Sequence, residues 1–228
     1  MIQLYAGFDP REEVGYHTFC SSVIHNASRP VTITPLHLDT MRRFYFAGHR
    51  DGTNAFVYSR FLVPWLQQWR GFAIFADGCD MLCLGDIAEL WEMADPKMAV
   101  QVVRHQYHTK HPRKYVGTAM EAANRDYPRK NWSSLMLINC AHPSWRSITP
   151  DSLIVWSGEQ LHQFAFLPEP FLGDLPAEWN WLADEYEPNP KAKLLHWTAG
   201  IPAWPAYTAA PRADEWAQAA LMVTHATA

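Results

Sequence analysis

Ala73-Ile74-Phe75-Ala76-Asp77-Gly78-Cys79-Asp80 is an uncharged run that ends on two carboxylates around a glycine. A short apolar stretch closed by a turn reads as a buried strand. The turn behind such a strand lies at the carboxyl edge of an α/β sheet, where these folds hold ligands. Two carboxylates there offer hard oxygen ligands to a divalent cation, which can in turn hold phosphate groups. A solvated turn uses the same residue types, so the rest of the chain decides between the two readings.

Upstream, residues 56–69 carry apolar residues at helical spacing around Tyr58, Phe61, Leu62 and Trp65, predicting a helix that Gly71 separates from a strand over 72–76. Residues 2–6 predict a buried first strand, closed by Gly7-Phe8-Asp9-Pro10 and followed by a helix to Ser22. Residues 31–35 form a second strand. Downstream, Asp86-Ile87-Ala88-Glu89 has the form of a helix N-cap with a carboxylate at the third helical position, predicting a short helix to Met93. Strands follow over 99–103 and 135–139. Thr149-Pro150-Asp151-Ser152 opens another helix, with Gly158 past its end. Residues 193–196 read as a late strand and 213–223 as a terminal helix. This alternation predicts an α/β fold: one domain over residues 1–223, with a mostly parallel central sheet flanked by helices and an irregular C-terminal third. Residues 224–228 are expected to fray.

The chain has 228 residues, 48% of them hydrophobic, enough for one full-sized core. Its 19 Lys and Arg against 23 Asp and Glu give a formal charge of −4, so no global field draws it to nucleic acid or to an anionic membrane. Cys20, Cys79, Cys83 and Cys140 are dispersed, and Cys79-x-x-x-Cys83 lacks the second pair of a zinc site. No secretory signal precedes them, so the expectation is a cytoplasmic protein with reduced thiols. Apolar stretches fall short of the roughly 18 residues of a membrane span, so none is expected. The chain has 11 Trp, including Trp179, Trp181, Trp197, Trp204 and Trp216 in the C-terminal third. Aromatic faces bind sugars, and they also fill the cores of irregular segments.

Gly7-Phe8-Asp9 after the first strand, Tyr58-Ser59-Arg60-Phe61-Leu62-Val63-Pro64, the acidic turn with Asp86-Ile87-Ala88-Glu89-Leu90, and the late His196 occur in an order that resembles glycosyltransferase family 8. The likeness runs from Ile2 to Trp204. It implies a Rossmann-like domain of the GT-A type, a nucleotide-sugar donor such as a UDP-sugar, a glycan or other hydroxyl acceptor, and transfer with retention of anomeric configuration. By the same resemblance Asp77, Asp80 and His196 bind the metal. A mixed oxygen and nitrogen set suits Mn²⁺ better than an all-oxygen Mg²⁺ site. Tyr5, Ala6, Gly7, Phe8 and Asp9 would hold base and ribose. Arg60 would brace the acidic turn or approach the diphosphate, with Asp77 and Asp80 beside it as catalytic residues. Ser133, Ser134 and Asn139 would hold sugar hydroxyls.

Two features depart from the family pattern. The turn has one residue more than D-x-D, so both carboxylates reach one ion if the turn bulges. The late motif, His196 to Trp204, lacks the family's lysine, so another cation is expected at the diphosphate. No residue is marked as a general base, which fits a reaction in which the leaving phosphate takes the acceptor proton. The segment Arg104-His105-Gln106-Tyr107-His108-Thr109-Lys110-His111-Pro112-Arg113-Lys114 is the most basic in the chain and is expected to be a mobile loop that meets phosphate or an anionic acceptor. Two rival readings remain: a nucleotide-sugar pyrophosphatase or nucleotidyltransferase using the same site, and a non-catalytic carbohydrate-binding module using the tryptophans.

Overall fold

Apolar runs supply the middle of the sheet in the structure of this protein, a computed structural model that describes residues 1–41 and 54–224. In chain order the elements are β1 (Ile2–Phe8), α1 (Glu13–Asn26), β2 (Val31–His37), α2 (Leu38–Met41), α3 (Val63–Leu66), β3 (Phe72–Ala76), β4 (Met81–Cys83), α4 (Ile87–Trp91) and β5 (Val100–Val102). They continue as β6 (Arg113–Lys114), β7 (Ala122–Ala123), β8 (Leu135–Asn139), α5 (Pro150–Leu153), α6 (Gly158–His162), β9 (Leu172–Asp174), β10 (Trp181–Leu182), β11 (Leu194–His196) and α7 (Ala213–Thr224). Of the segment expected to fray, residues 225–228 lie outside the described residues.

The main sheet has the order β2-β1-β3-β8-β5-β9. β1 pairs in parallel with β2 and β3, and β5 with β9, whereas β8 is antiparallel to both β3 and β5. The sheet is therefore mostly parallel, with β8 reversed. β3 and β8 are buried at nearly every position, as expected of central strands covered on both faces. Pro35 is tolerated because β2 is an edge strand, where a missing N–H costs no ladder bond.

The reversal of β8 matters for the site. Its register sets Ala76 against Leu135 and Phe72 against Asn139. Ser133 and Ser134 thus lie at the edge where β3 delivers Asp77, while Asn139 falls at the opposite edge, donating to Pro96 O and accepting from the Ala141 N–H. Asn139 is not brought to the site, because a strand expected to run with β3 runs against it.

Two helical expectations are corrected. Residues 56–69 form a 3₁₀ turn, Ser59–Leu62, and the single α-turn α3, ending with Gln68 and Trp69 at positive φ. The apolar spacing there reflects burial on all sides: Phe56, Tyr58, Arg60, Phe61, Leu62 and Val63 are all buried. The helix opened by Thr149 stops at Leu153, and Gly158 starts the next one, capped by Ser157 in a reciprocal capping box with Gln160.

A second sheet, β10-β11-β4, packs with α7 around Leu82, Leu195, Trp197 and Trp216. Trp179, Trp197 and Trp216 are at most 5% exposed. These three are core fillers and offer no sugar-binding face. All four cysteines are free, and no described helix is long and apolar enough to cross a membrane.

Candidate functional site

The acidic turn accommodates its extra residue by folding it inward. Gly78 adopts φ +75°, which a side chain would strain, and the Cys79 N–H closes onto Asp77 O at 2.8 Å. The buried Cys79 thiol donates to Gly7 O at 3.3 Å. Helix α1 presses on the turn through Gly15, where a Cβ would lie 1.9 Å from Cys79 O. With Gly78 and Cys79 tucked away, Asp77 and Asp80 stand on the same side.

β4 then brings in the histidine. It pairs antiparallel with β11, setting His196 opposite Met81, and Asp80 O accepts from the Trp197 N–H at 2.9 Å. His196 Nε2 lies 3.4 Å from Asp80 Oδ2. Ligand atoms of Asp77, Asp80 and His196 all fall within 4.8 Å of one another, the sole such group of three among the described residues. These residues fit a divalent cation: among the described residues Asp80 Oδ1 is buried and receives no hydrogen bond, while Asp77 Oδ1 is met by the Arg60 guanidinium, and an unmatched buried carboxylate oxygen is costly unless an ion is supplied.

The imidazole is oriented from behind. His196 Nδ1 donates to Asn180 Oδ1 at 3.0 Å, Asn180 Nδ2 donates to Ser134 Oγ at 2.8 Å, and Ser134 Oγ donates to Asn131 O at 2.7 Å. This chain fixes the tautomer and leaves Nε2 to face the carboxylates, as outer partners of metal-binding histidines do. Burial by itself lowers the His196 pKa, but Asp80, then Asp77 and Asp184, more than reverse this and hold it above 6.5. A proton therefore competes with a metal for the place between the three groups.

Arg60 lies against the acidic turn. Its Nη1 lies 2.6 Å from Asp77 Oδ1, off the hydrogen-bond axis, and donates to Ser133 O at 3.0 Å; Nε donates to Val57 O at 3.0 Å. Its guanidinium also lies over Phe75. Even so, burial raises the Asp77 pKa from 3.8 to about 6, with Asp80 adding to the rise and Arg60 opposing it.

The cluster opens into a cavity of about 640 Å³ that Arg60, Ser133, Ser134 and His162 also line. Ser133 Oγ is 2.6 Å from His162 Nδ1, and burial pushes that histidine's pKa down to about 3, so the ring stays neutral. Tyr5, Ala6, Gly7, Phe8 and Asp9 do not line this cavity. A Cβ at Gly7 would meet the Phe56 ring at 2.4 Å, so the space expected for a base holds Phe56. Ala6 packs beneath Gly78. Both oxygens of Asp9 are taken, by the Arg11 side chain and N–H and by the Ala55 N–H. The carboxylate is committed to capping the turn before α1.

Sequence reasoning missed several residues. Glu12 is 1% exposed and, among the described residues, neither carboxylate oxygen has a hydrogen-bond partner; burial first, then Asp80, Asp9 and Asp77, push its pKa well up and favour the neutral acid. Asn180 and His162 carry no local signature, although the Ser157-x-x-Gln160 capping box marks the helix that presents His162 and Glu159 to the cavity. The basic segment is tied down: Glu185 accepts from Thr109 Oγ1 and from the Lys110 N–H, and Trp132 Nε1 donates to His105 O at 2.9 Å. A freely mobile loop is not what these anchors describe.

The architecture is that of GT-A type glycosyltransferases. It matches the bifunctional glycosyltransferase WbbM with a TM-score of 0.66 at 13% identity over 96% of this chain and 49% of that one. It matches the Streptococcus pneumoniae glycosyltransferase GlyE with a TM-score of 0.62 at 12% identity, over 97% of this chain and 60% of that one. It also matches the galactosyltransferase LgtC, solved with donor and acceptor sugar analogues, with a TM-score of 0.56 at 11% identity over 98% and 96% of the two chains. The chain spans about half the length of WbbM and 60% of GlyE. At these identities the likeness is one of fold. No family model matches the chain. Protein CDI of Arabidopsis thaliana is 36% identical over 224 residues, 94% of this chain and 84% of that protein, and this chain belongs to its family.

Proposed function

We propose that the protein is a metal-dependent, retaining glycosyltransferase that moves a hexose from a nucleotide diphosphate sugar, in the first instance a UDP-sugar, to a hydroxyl acceptor such as a glycan. The observation that carries this reading is the convergence of Asp77, Asp80 and His196 in the wall of a cavity on the carboxyl edge of a GT-A type sheet. Asp77, Asp80 and His196 would hold the cation, Mn²⁺ or Mg²⁺. When bound, it would act as a Lewis acid toward the diphosphate as negative charge develops on the leaving oxygen. Arg60 keeps the acidic turn in place, and Asn180 keeps His196 aimed. Ser133, held by the neutral His162, offers a hydroxyl at the cavity wall for a sugar or ribose, while the Ser134 hydroxyl is committed to the chain behind His196.

Incubation with UDP-sugars and Mn²⁺ tests this. Acceptor-dependent release of UDP is the expected result, and release of UMP instead would mark a pyrophosphatase or nucleotidyltransferase. Binding of free glycan with indifference to nucleotide and metal would mark a carbohydrate-binding module.

A further inference from the structure

The cavity is lined by four cationic side chains, Arg60, Lys114, Arg125 and Lys130, and by four carboxylates, Asp77, Asp80, Asp126 and Glu159. Most of the buried charge is already matched. Arg60 is committed to Asp77, and Lys130 Nζ donates to Asn124 Oδ1 at 2.7 Å with Asp126 at 3.6 Å. Arg125 lies exposed at the rim.

Lys114 is different. It is half-buried, and among the described residues its Nζ has no hydrogen bond and no ion pair; it lies over the Tyr115 ring, 5.1 Å from the centroid. Other cations of the same basic segment are all answered: Arg104 by Glu169 and Asp174, Lys110 by Glu187 and Arg113 by Glu121. Lys114 is thus the member of that segment whose charge is spent on the cavity. Its desolvation is not offset within the protein: burial lowers its pKa despite the attraction of Asp80, Asp77 and Glu12. An anion arriving in the cavity would supply the missing partner.

The backbone fixes where this charge points. Lys114 pairs with Ala122 in the β6-β7 ladder, and the next residue, Tyr115, donates its N–H to Ala199 O at 2.7 Å. The hairpin is therefore docked on the segment that follows His196, and Thr198 of that segment lines the same cavity.

We propose that Lys114, delivered by the β6-β7 hairpin, binds the diphosphate of the donor across from the Asp77, Asp80 and His196 cluster. This rests on the glycosyltransferase reading. In the transfer the acceptor oxygen bonds to the anomeric carbon, the bond from that carbon to the phosphate oxygen breaks, and its electron pair stays on the phosphate, which also takes the acceptor's hydroxyl proton. Lys114 offsets the charge that the phosphate gains on the way.

The test is calorimetric titration of UDP, UMP and Mn²⁺ into the wild type, Lys114→Met and Lys114→Arg, with thermal unfolding of each ligand-free protein. Lys114→Met is expected to weaken Mn²⁺-dependent UDP binding by roughly 10- to 100-fold, the scale of one charge-assisted contact. UMP and Mn²⁺ alone should change far less, and Lys114→Arg should recover part of the UDP affinity. The ligand-free Lys114→Met protein should unfold at a higher temperature, because an uncompensated ammonium has been removed; a structural lysine would give the opposite sign. Wild-type binding of UDP with Lys114→Met unchanged within about twofold overturns the role of Lys114 and leaves the glycosyltransferase reading standing. Wild type that binds none of UDP, GDP or ADP with Mn²⁺ overturns both.

Discussion

Arg60→Met tests whether the guanidinium braces the acidic turn. Methionine replaces much of the buried stem, so the loss is chiefly polar. Ser133 O and Val57 O lose their Arg60 donors, costing about 1 kcal/mol each once the site relaxes. The ionic part depends on pH, and its sign follows from Asp77. A carboxyl with a folded pKa raised from 3.8 to about 6 contributes stability that is present below pH 3.8 and lost as pH rises through about 6. Without Arg60 the folded pKa climbs further, so the variant goes on losing stability where the wild type has levelled off. The ionic cost is then near zero at about pH 5 and grows by roughly 1 kcal/mol per pH unit above about pH 6. In total the variant should lose about 3 kcal/mol near neutral pH, at the lower end for a broken buried ion pair. Urea unfolding in the presence of a chelator, at about pH 5, 6.5 and 8, reads this directly. A loss that stays flat with pH, or that never exceeds about 1 kcal/mol, would refute the brace.

Gly15→Ala should damage the site without touching a ligand, because its Cβ would sit 1.9 Å from Cys79 O, backbone that cannot step aside. The roughly 1 kcal/mol gain in helix propensity is smaller than that clash, so Mn²⁺ affinity by calorimetry and the unfolding midpoint should both fall. Asn180→Leu should leave His196 without its Nδ1 acceptor and cost about 10- to 100-fold in metal affinity, with unchanged affinity counting against the orienting chain. His105 is buried with its pKa pushed down to about 3, first by burial and then by His196. A depressed pKa gives stability that is full above pH 6.5 and is lost as pH falls toward 3, at roughly 1 kcal/mol per pH unit. Because Asp77 and Glu12 act in the opposite sense, the readout is the difference in unfolding free energy between wild type and His105→Gln, in which the wild type should lose ground by roughly 1 kcal/mol per pH unit as pH falls below 6.5; a difference that does not change with pH would mean His105 is not held neutral.

Much of the architecture was legible because it rests on local chemistry. Apolar runs such as Phe72–Ala76 and Leu135–Asn139 read as buried strands by their length and flanking turns, and Asp86 caps α4 by accepting from the Ala88 N–H as its position predicts. Asp77, Asp80 and His196 were found as a set through the family order, and the β4-β11 register is the physical reason that they meet. Strand direction is not local, so the reversal of β8 and the displacement of Asn139 were not readable. Nor was the packing of Phe56 over Gly7, since a small residue beside a strand end serves a ligand and a neighbouring ring equally well. The broken segment over residues 56–69 misled because all-round burial imitates the spacing of a helix face. Glu12 and Asn180 matter through partners distant in sequence, where no short motif exists to mark them.

On the proposed reading, Asp77, Asp80 and His196 form one cation site that holds a nucleotide diphosphate. Calorimetric titration of UDP into the wild type, Asp80→Asn and His196→Ala, each with and without Mn²⁺, tests it most directly. Wild type is expected to bind UDP in a Mn²⁺-dependent manner, and each substitution to remove most of that dependence while the protein stays folded. Binding by the wild type that is indifferent to every divalent ion would contradict it.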